Sequence, residues 1–121
     1  MISVCKVFKF DAAHHLPGYE GLCKNIHGHS FKLEVEFTGK IQDNGMIIDF
    51  NEVKEFVNKL IIEDLDHNDL NELLPNPTAE NLLIWILRRL KPIEEEKNLK
   101  LLRLRIYETE NAYAEWRIDK V

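Results

Sequence analysis

The sequence is short of cysteine, proline and glycine, with two, four and five of them in 121 residues, and each scarcity excludes something. Two thiols cannot staple a small secreted fold, and Cys5 lies in an apolar stretch, so Cys5 and Cys23 are expected to be free in a reducing compartment. With 45% hydrophobic and 31% charged residues, the chain is neither fibrous nor disordered. Nowhere do about 18 apolar residues run together, and Met1 to Lys6 hold no stretch long enough for a signal peptide. A cytoplasmic protein with no membrane partner is the expectation. Positive charge is also in deficit: sixteen Lys and Arg against twenty-one Asp and Glu give a net charge of -5, which argues against a nucleic-acid partner. Any anionic ligand must be met by local groups. No linker, repeat or long charge run divides the chain, so residues 1–121 are read as one domain with one core.

What is present is strong periodicity. Phe31, Leu33, Val35 and Phe37 alternate with Lys32, Glu34, Glu36 and Thr38, the pattern of a strand with one wet face. Ile2, Val4, Phe8 and Phe10 share a parity, as do Leu102, Leu104 and Ile106, and then Ala112, Ala114, Trp116 and Ile118, with a turn at Glu110-Asn111. A short strand is expected at Met46-Ile47-Ile48, after Asn44-Gly45. Val53, Phe56, Val57, Leu60 and Ile61 fall at helical spacing, with Asp49 and Glu52 placed as a capping box. A second helix is expected after Pro77, capped by Thr78, carrying Leu82, Leu83, Ile86, Leu87 and Leu90 and stopped by Pro92. The sum is an α+β layer: an antiparallel sheet with two helices on one face. Lys32, Glu34 and Glu36 then suit a face that is wet or covered by a partner chain.

All five histidines, at 14, 15, 27, 29 and 67, lie in the first 67 residues. In His27-Gly28-His29 the imidazoles at i and i+2 point the same way if the segment is extended, and His14 ends the first strand where a third ligand can converge. Three histidines and an open position describe a catalytic zinc site, although imidazole also suits iron or nickel, and a polar turn beside a solvated loop is the plain alternative. Cys23 stands four residues before His27 and beside Lys24. It is a closing metal ligand, a thiolate base or nucleophile, or a small structural residue. Asp66-His67 sits in a loop dense in turn formers, where capping is the ordinary role, but a carboxylate beside an imidazole also tunes it for proton transfer. Glu108, ending its strand, is either exposed or takes two hydrogen bonds from a planar, guanidine-like ligand edge.

Six segments in order resemble one family, the 6-pyruvoyl-tetrahydropterin and 6-carboxy-tetrahydropterin synthases. They are Phe10-Asp11-Ala12-Ala13-His14, Cys23 with three residues before His27-Gly28-His29, Gly45-Met46-Ile47-Ile48-Asp49-Phe50, Leu65-Asp66-His67, Pro77-Thr78-Ala79-Glu80-Asn81 and Tyr107-Glu108-Thr109. The resemblance implies the tunnelling fold, or T-fold, a four-stranded antiparallel sheet with two helices. Its sheets join in trimers as a barrel and stack into a homohexamer with intersubunit active sites. It implies His14, His27 and His29 as zinc ligands, Cys23 as catalytic thiol, Asp66 and His67 as proton-transfer partners from a neighbouring subunit, and Glu108 as pterin anchor. His15 stands where many relatives have Arg. It is an alternative ligand to His14 and, with Lys24, a candidate for binding the triphosphate. The implied reaction is a lyase step on 7,8-dihydroneopterin triphosphate. The three-residue interval between Cys23 and His27 resembles the branch that releases acetaldehyde and triphosphate to give 6-carboxy-5,6,7,8-tetrahydropterin for queuosine and related deazapurines. The 6-pyruvoyl branch, which loses triphosphate without carbon–carbon cleavage, has a longer interval.

Two other readings compete. A cupin-type metal site would use the same His-x-His with an added His and Glu, but two good helices do not suit a jelly roll. A non-catalytic oligomer that binds zinc or a pterin would have no use for Cys23, Asp66 and His67.

Overall fold

A computed structural model of the chain describes residues 1–18 and 25–119. Four strands form one antiparallel sheet in the order β1-β2-β3-β4: β1 (Ser3–His14), β2 (His27–Thr38), β3 (Lys100–Thr109) and β4 (Ala112–Arg117). Between β2 and β3 lie α1 (Phe50–Val57), a wider π turn (Asn58–Ile62), the short α2 (Glu63–Leu65), a 3-10 turn (Leu70–Glu72) and α3 (Ala79–Lys97). The alternation seen in the sequence is the alternation of faces. Phe8, Phe10, Phe31, Leu33, Val35, Leu104 and Ile106 are buried against Val53, Val57, Ile61, Leu82, Ile86 and Leu90 from the helical layer. Each such side chain contributes roughly 1.5–3 kcal/mol of transfer free energy. Among the described residues no helix is long and apolar enough to cross a membrane.

The opposite face is charged and self-paired. Arg103 reaches Glu36 at 2.8 Å and Glu34 at 2.9 Å, and Arg105 and Arg117 both reach Glu115 at 2.7 Å. Lys32, Glu34 and Glu36 therefore lie on the side the helices leave open. β1 and β4 are the sheet edges, and the described chain alone does not pair them.

Three local expectations need correction. Met46-Ile47-Ile48 forms no strand. Gly45, at φ 84, closes a turn whose N–H donates to Gln42 O at 2.8 Å, and the Gln42 side chain donates to Ile47 O at 3.0 Å. The apolar pair Ile47 and Ile48 is buried from a loop instead. Pro92 does not stop α3, which runs to Lys97 and ends at Asn98 in the left-handed region, φ 54. Burial of Ile93, and the Glu94 carboxylate accepting from the Leu101 N–H at 2.9 Å, hold the last turns against the loss of one helical hydrogen bond. In β3 a bulge lies across from Glu36/Phe37, so that Leu101 partners Phe37 while Arg103 partners Glu36. Leu101, Leu104 and Ile106 form the deepest side of the strand, with Leu102 as the extra residue. The caps are partly as expected. Asp49 accepts from Asn51 N and Thr78 from Asn81 N, but Glu52 pairs with Lys97 at 3.0 Å rather than closing a capping box.

Candidate metal centre

The β1–β2 ladder explains why the histidines meet. Its core-facing rungs run Phe8↔Leu33, Phe10↔Phe31, Ala12↔His29 and His14↔His27. The three imidazoles therefore occupy the last rungs of the side that carries the aromatic core, with Phe10 and Phe31 stacked at 5.1 Å beneath them. The rings of His14 and His27 are 4.6 Å apart, His27 and His29 4.6 Å, and His14 and His29 5.1 Å. Glu108 follows Leu104 and Ile106 at period two on β3 and brings a carboxylate oxygen to 2.9 Å from His14 Nε2 and 3.1 Å from His29 Nε2.

The donor set fits a divalent cation. His14 is 1% exposed, and its Nδ1 lies 2.8 Å from Pro77 O; His27 Nδ1 lies 2.8 Å from Asn25 O. A carbonyl oxygen only accepts, so both Nδ1 atoms carry a proton, and in the neutral ring that a metal binds both Nε2 atoms present lone pairs. The Nε2 atoms of His14, His27 and His29 are buried without a directed hydrogen bond, and Glu108 adds an oxygen. Lone pairs facing a carboxylate are repulsive until a cation stands between them. One donor atom from each of the four residues falls within 4.8 Å of the others. Burial pushes the His29 pKa below its ordinary value and the two neighbouring imidazoles add to this, against the upward pull of Glu108. His29 is thereby kept in the neutral form that metals bind.

His15 stands apart from this group. Its N–H donates to Asn71 Oδ1 at 2.9 Å and its carbonyl accepts from Asn71 Nδ2 at 3.0 Å, a clamp that fastens the end of β1 to the 3-10 turn. Cys23 and Lys24 lie outside the described residues. Asp66 and His67 form a pair at 3.0 Å (His67 Nδ1 to Asp66 Oδ2) that is fastened to the edge of β1. Asp66 Oδ1 accepts from the Asp11 N–H at 3.0 Å, and the His67 N–H donates to Asp11 O at 2.6 Å. These bonds hold His67 in the left-handed region, φ 59, with its side chain 79% exposed. The Asp11 N–H holds the Asp66 carboxyl below the usual range; desolvation opposes this, and His67 adds to it. His67 lines an open cleft of about 540 Å³ with Asp11, Gly28, His29, Ser30 and Asn68. Glu108 also lines a second cleft, of about 420 Å³, with Ala79, Glu80 and Tyr113.

Sequence reasoning missed the groups that orient this site, namely the carbonyls of Pro77 and Asn25, the Asn71 clamp and the main chain of Asp11. Three of these four act through the backbone, which leaves no mark in residue type; Asn71 lay unread among the turn formers.

Residues 3–119 match the family described as 6-pyruvoyl tetrahydropterin synthase. A Haemophilus influenzae 6-carboxy-5,6,7,8-tetrahydropterin synthase is 33% identical over a 142-residue alignment that covers 96% of this chain and 99% of that protein. A Pyrococcus furiosus dihydroneopterin monophosphate aldolase is 40% identical over 103 residues, 82% of each chain. Among solved structures, a 6-pyruvoyl tetrahydropterin synthase of Caenorhabditis elegans superposes with a TM-score of 0.84 at 24% identity, covering 98% of this chain and 96% of that one, and so shares the fold.

Proposed function

The chain belongs to the 6-pyruvoyl tetrahydropterin synthase family, and within it we propose a zinc-dependent 6-carboxy-5,6,7,8-tetrahydropterin synthase. The substrates are 7,8-dihydroneopterin triphosphate and one water, and the products are the 6-carboxy pterin, acetaldehyde and triphosphate, a step towards queuosine and related deazapurines. The ring is reduced at the expense of its own side chain, so no outside reductant enters. The observation that carries this reading is the convergence of three buried Nε2 atoms without directed hydrogen-bond partners.

His14, His27 and His29 would hold the zinc, which when bound supplies a Lewis acid that polarises the side-chain oxygens of the substrate. Glu108 anchors the pterin by accepting from its planar amino-pyrimidine edge, and its place beside the second cleft gives it a direction from which to do so. Cys23 takes and returns protons on the side chain. Asp66 holds the His67 imidazole by Nδ1 and leaves its Nε2 to exchange a proton with substrate. The high exposure of His67 suits a group that completes the site of a neighbouring subunit, in a hexamer made of two trimers. His15 and Lys24 are the residues proposed for the triphosphate.

The Pyrococcus furiosus relative favours a second reading, aldol cleavage of dihydroneopterin monophosphate. One assay separates the outcomes. Zinc-loaded protein given dihydroneopterin triphosphate is expected to release acetaldehyde with the triphosphate. Triphosphate without acetaldehyde identifies the 6-pyruvoyl reaction. Release of a phosphorylated two-carbon aldehyde from the monophosphate alone identifies the aldolase. No turnover of either by a zinc-loaded oligomer leaves a non-catalytic binder.

A further inference from the structure

His14 reaches its binding form through a main-chain atom that belongs to the lead-in of α3. A neutral imidazole carries one ring proton. In His14 a proton on Nδ1 faces Pro77 O at 2.8 Å, and Nε2, which lies 2.9 Å from a Glu108 carboxylate oxygen, keeps its lone pair. An unconstrained neutral histidine favours the other tautomer, with the proton on Nε2, in which the lone pair points away from the centre. The aim of the Pro77 carbonyl therefore decides which nitrogen a metal meets.

Three hydrogen bonds fix that aim. Thr78 N donates to Asn76 O at 2.9 Å, Asn81 N to Thr78 Oγ1 at 3.1 Å, and Asn81 Nδ2 to Asn76 O at 2.9 Å. Proline has a fixed φ and no N–H, so pinning the residues on either side of it orients the peptide that carries its carbonyl. The Thr78 side chain caps the helix end by accepting from the Asn81 main chain. The Asn81 amide does something else: it reaches back five residues, out of the helix, to the residue before Pro77. We propose that Asn81 is a positioning residue for the metal, holding the Asn76–Thr78 segment so that Pro77 O keeps His14 in the Nδ1–H form. This rests on the metal reading of the centre given above.

The test compares Asn81→Ala and Asn81→Asp with the unaltered protein. Aspartate in the first turn of a helix favours the helix end electrostatically, yet it cannot donate to Asn76 O, so stability and positioning move in opposite directions. Zinc affinity, read by competition with a chromogenic chelator, is expected to weaken about 10-fold in both variants. Long-range nitrogen spectra of the zinc-free protein, taken above the imidazole titration range, are expected to show His14 passing from the Nδ1–H form to a mixture of tautomers. Lys97→Met, which breaks the Glu52 pair at the far end of α3, serves as the control for general helix weakening and is expected to change neither reading. Unchanged affinity and tautomer in Asn81→Asp overturn the proposal, as does an equal loss of affinity in Lys97→Met. Absence of zinc binding in the unaltered protein refutes the metal reading instead, and the tautomer of His14 still decides the role of Asn81.

Discussion

The roles proposed for the candidate metal centre are of two kinds, holding a cation and acting on the substrate, and substitution separates them. Cys23 precedes His27 by four positions, close enough to ligate and close enough to serve as a base. As a base, Cys23→Ala is expected to keep one zinc per chain while turnover falls by about 100-fold or more; loss of zinc in that variant would make Cys23 a ligand. Glu108 faces the parallel question from the structure, since its carboxylate lies 2.9 Å from His14 Nε2. If it anchors the pterin, Glu108→Ala retains zinc and loses pterin affinity by about 1.5–3 kcal/mol, the worth of a charged hydrogen bond. Equilibrium dialysis of a pterin against the zinc-loaded variant decides it, and unchanged affinity would confine Glu108 to the metal. The imidazoles were legible in the sequence because i and i+2 on a strand share a face, and His14 pairs with His27 in the same register. Preferring His14 to His15 rested on the family motif; in the structure His14 joins the cluster with His27 and His29, continuing the buried side of Phe8, Phe10 and Ala12. The carbonyls that set the tautomers were illegible, because every residue has one.

At the scale of elements, the strands were the readable part. A sheet with one buried face and one ion-paired face must alternate, and Phe31 to Thr38 records that directly. Local signals failed where tertiary contacts outweighed them. Pro92 reads as a helix stop, yet α3 continues past it because Ile93 is buried and the Glu94 carboxylate accepts from the Leu101 N–H of the following strand. The proline then sits in a helix interior, where it costs about 3 kcal/mol relative to alanine, partly offset by its restriction of the unfolded chain. Pro92→Ala is therefore expected to stabilise the protein by about 1–2 kcal/mol, seen as a higher urea midpoint with an unchanged slope. A lower midpoint would show that the ring itself packs in a way the alanine methyl cannot replace. Met46 to Ile48 misled for a related reason: β-branched residues mark burial as much as they mark strands.

The whole molecule is a layer with one greasy side and one charged side, and the charged side makes its stability depend on acid. Burial raises the pKa of Glu36, but the Ser3 hydroxyl and Arg103 outweigh it and hold the carboxyl below its ordinary value. Glu115 behaves alike, with burial opposed and exceeded by Arg105 and Arg117. Carboxyls that titrate lower in the folded chain than in the unfolded one stabilise the fold above the ordinary glutamate range, near pH 4.5, and that stabilisation is lost as pH falls through their lowered values. The network is partly exposed, with Glu36 at 23% and Arg103 at 16%, so screening weakens it. Urea midpoints are expected to be flat from about pH 7 to pH 5 and to fall below about pH 4.5. Molar salt should flatten the decline. In Arg103→Met, Glu36 loses the guanidinium that helps hold its carboxyl low, so its titration moves upward and the decline begins at higher pH than in the unaltered chain. An identical acid profile in that variant would mean that the open face contributes nothing to folding through its charges, and that its ionised side chains persist there only to keep an uncovered sheet from binding at random.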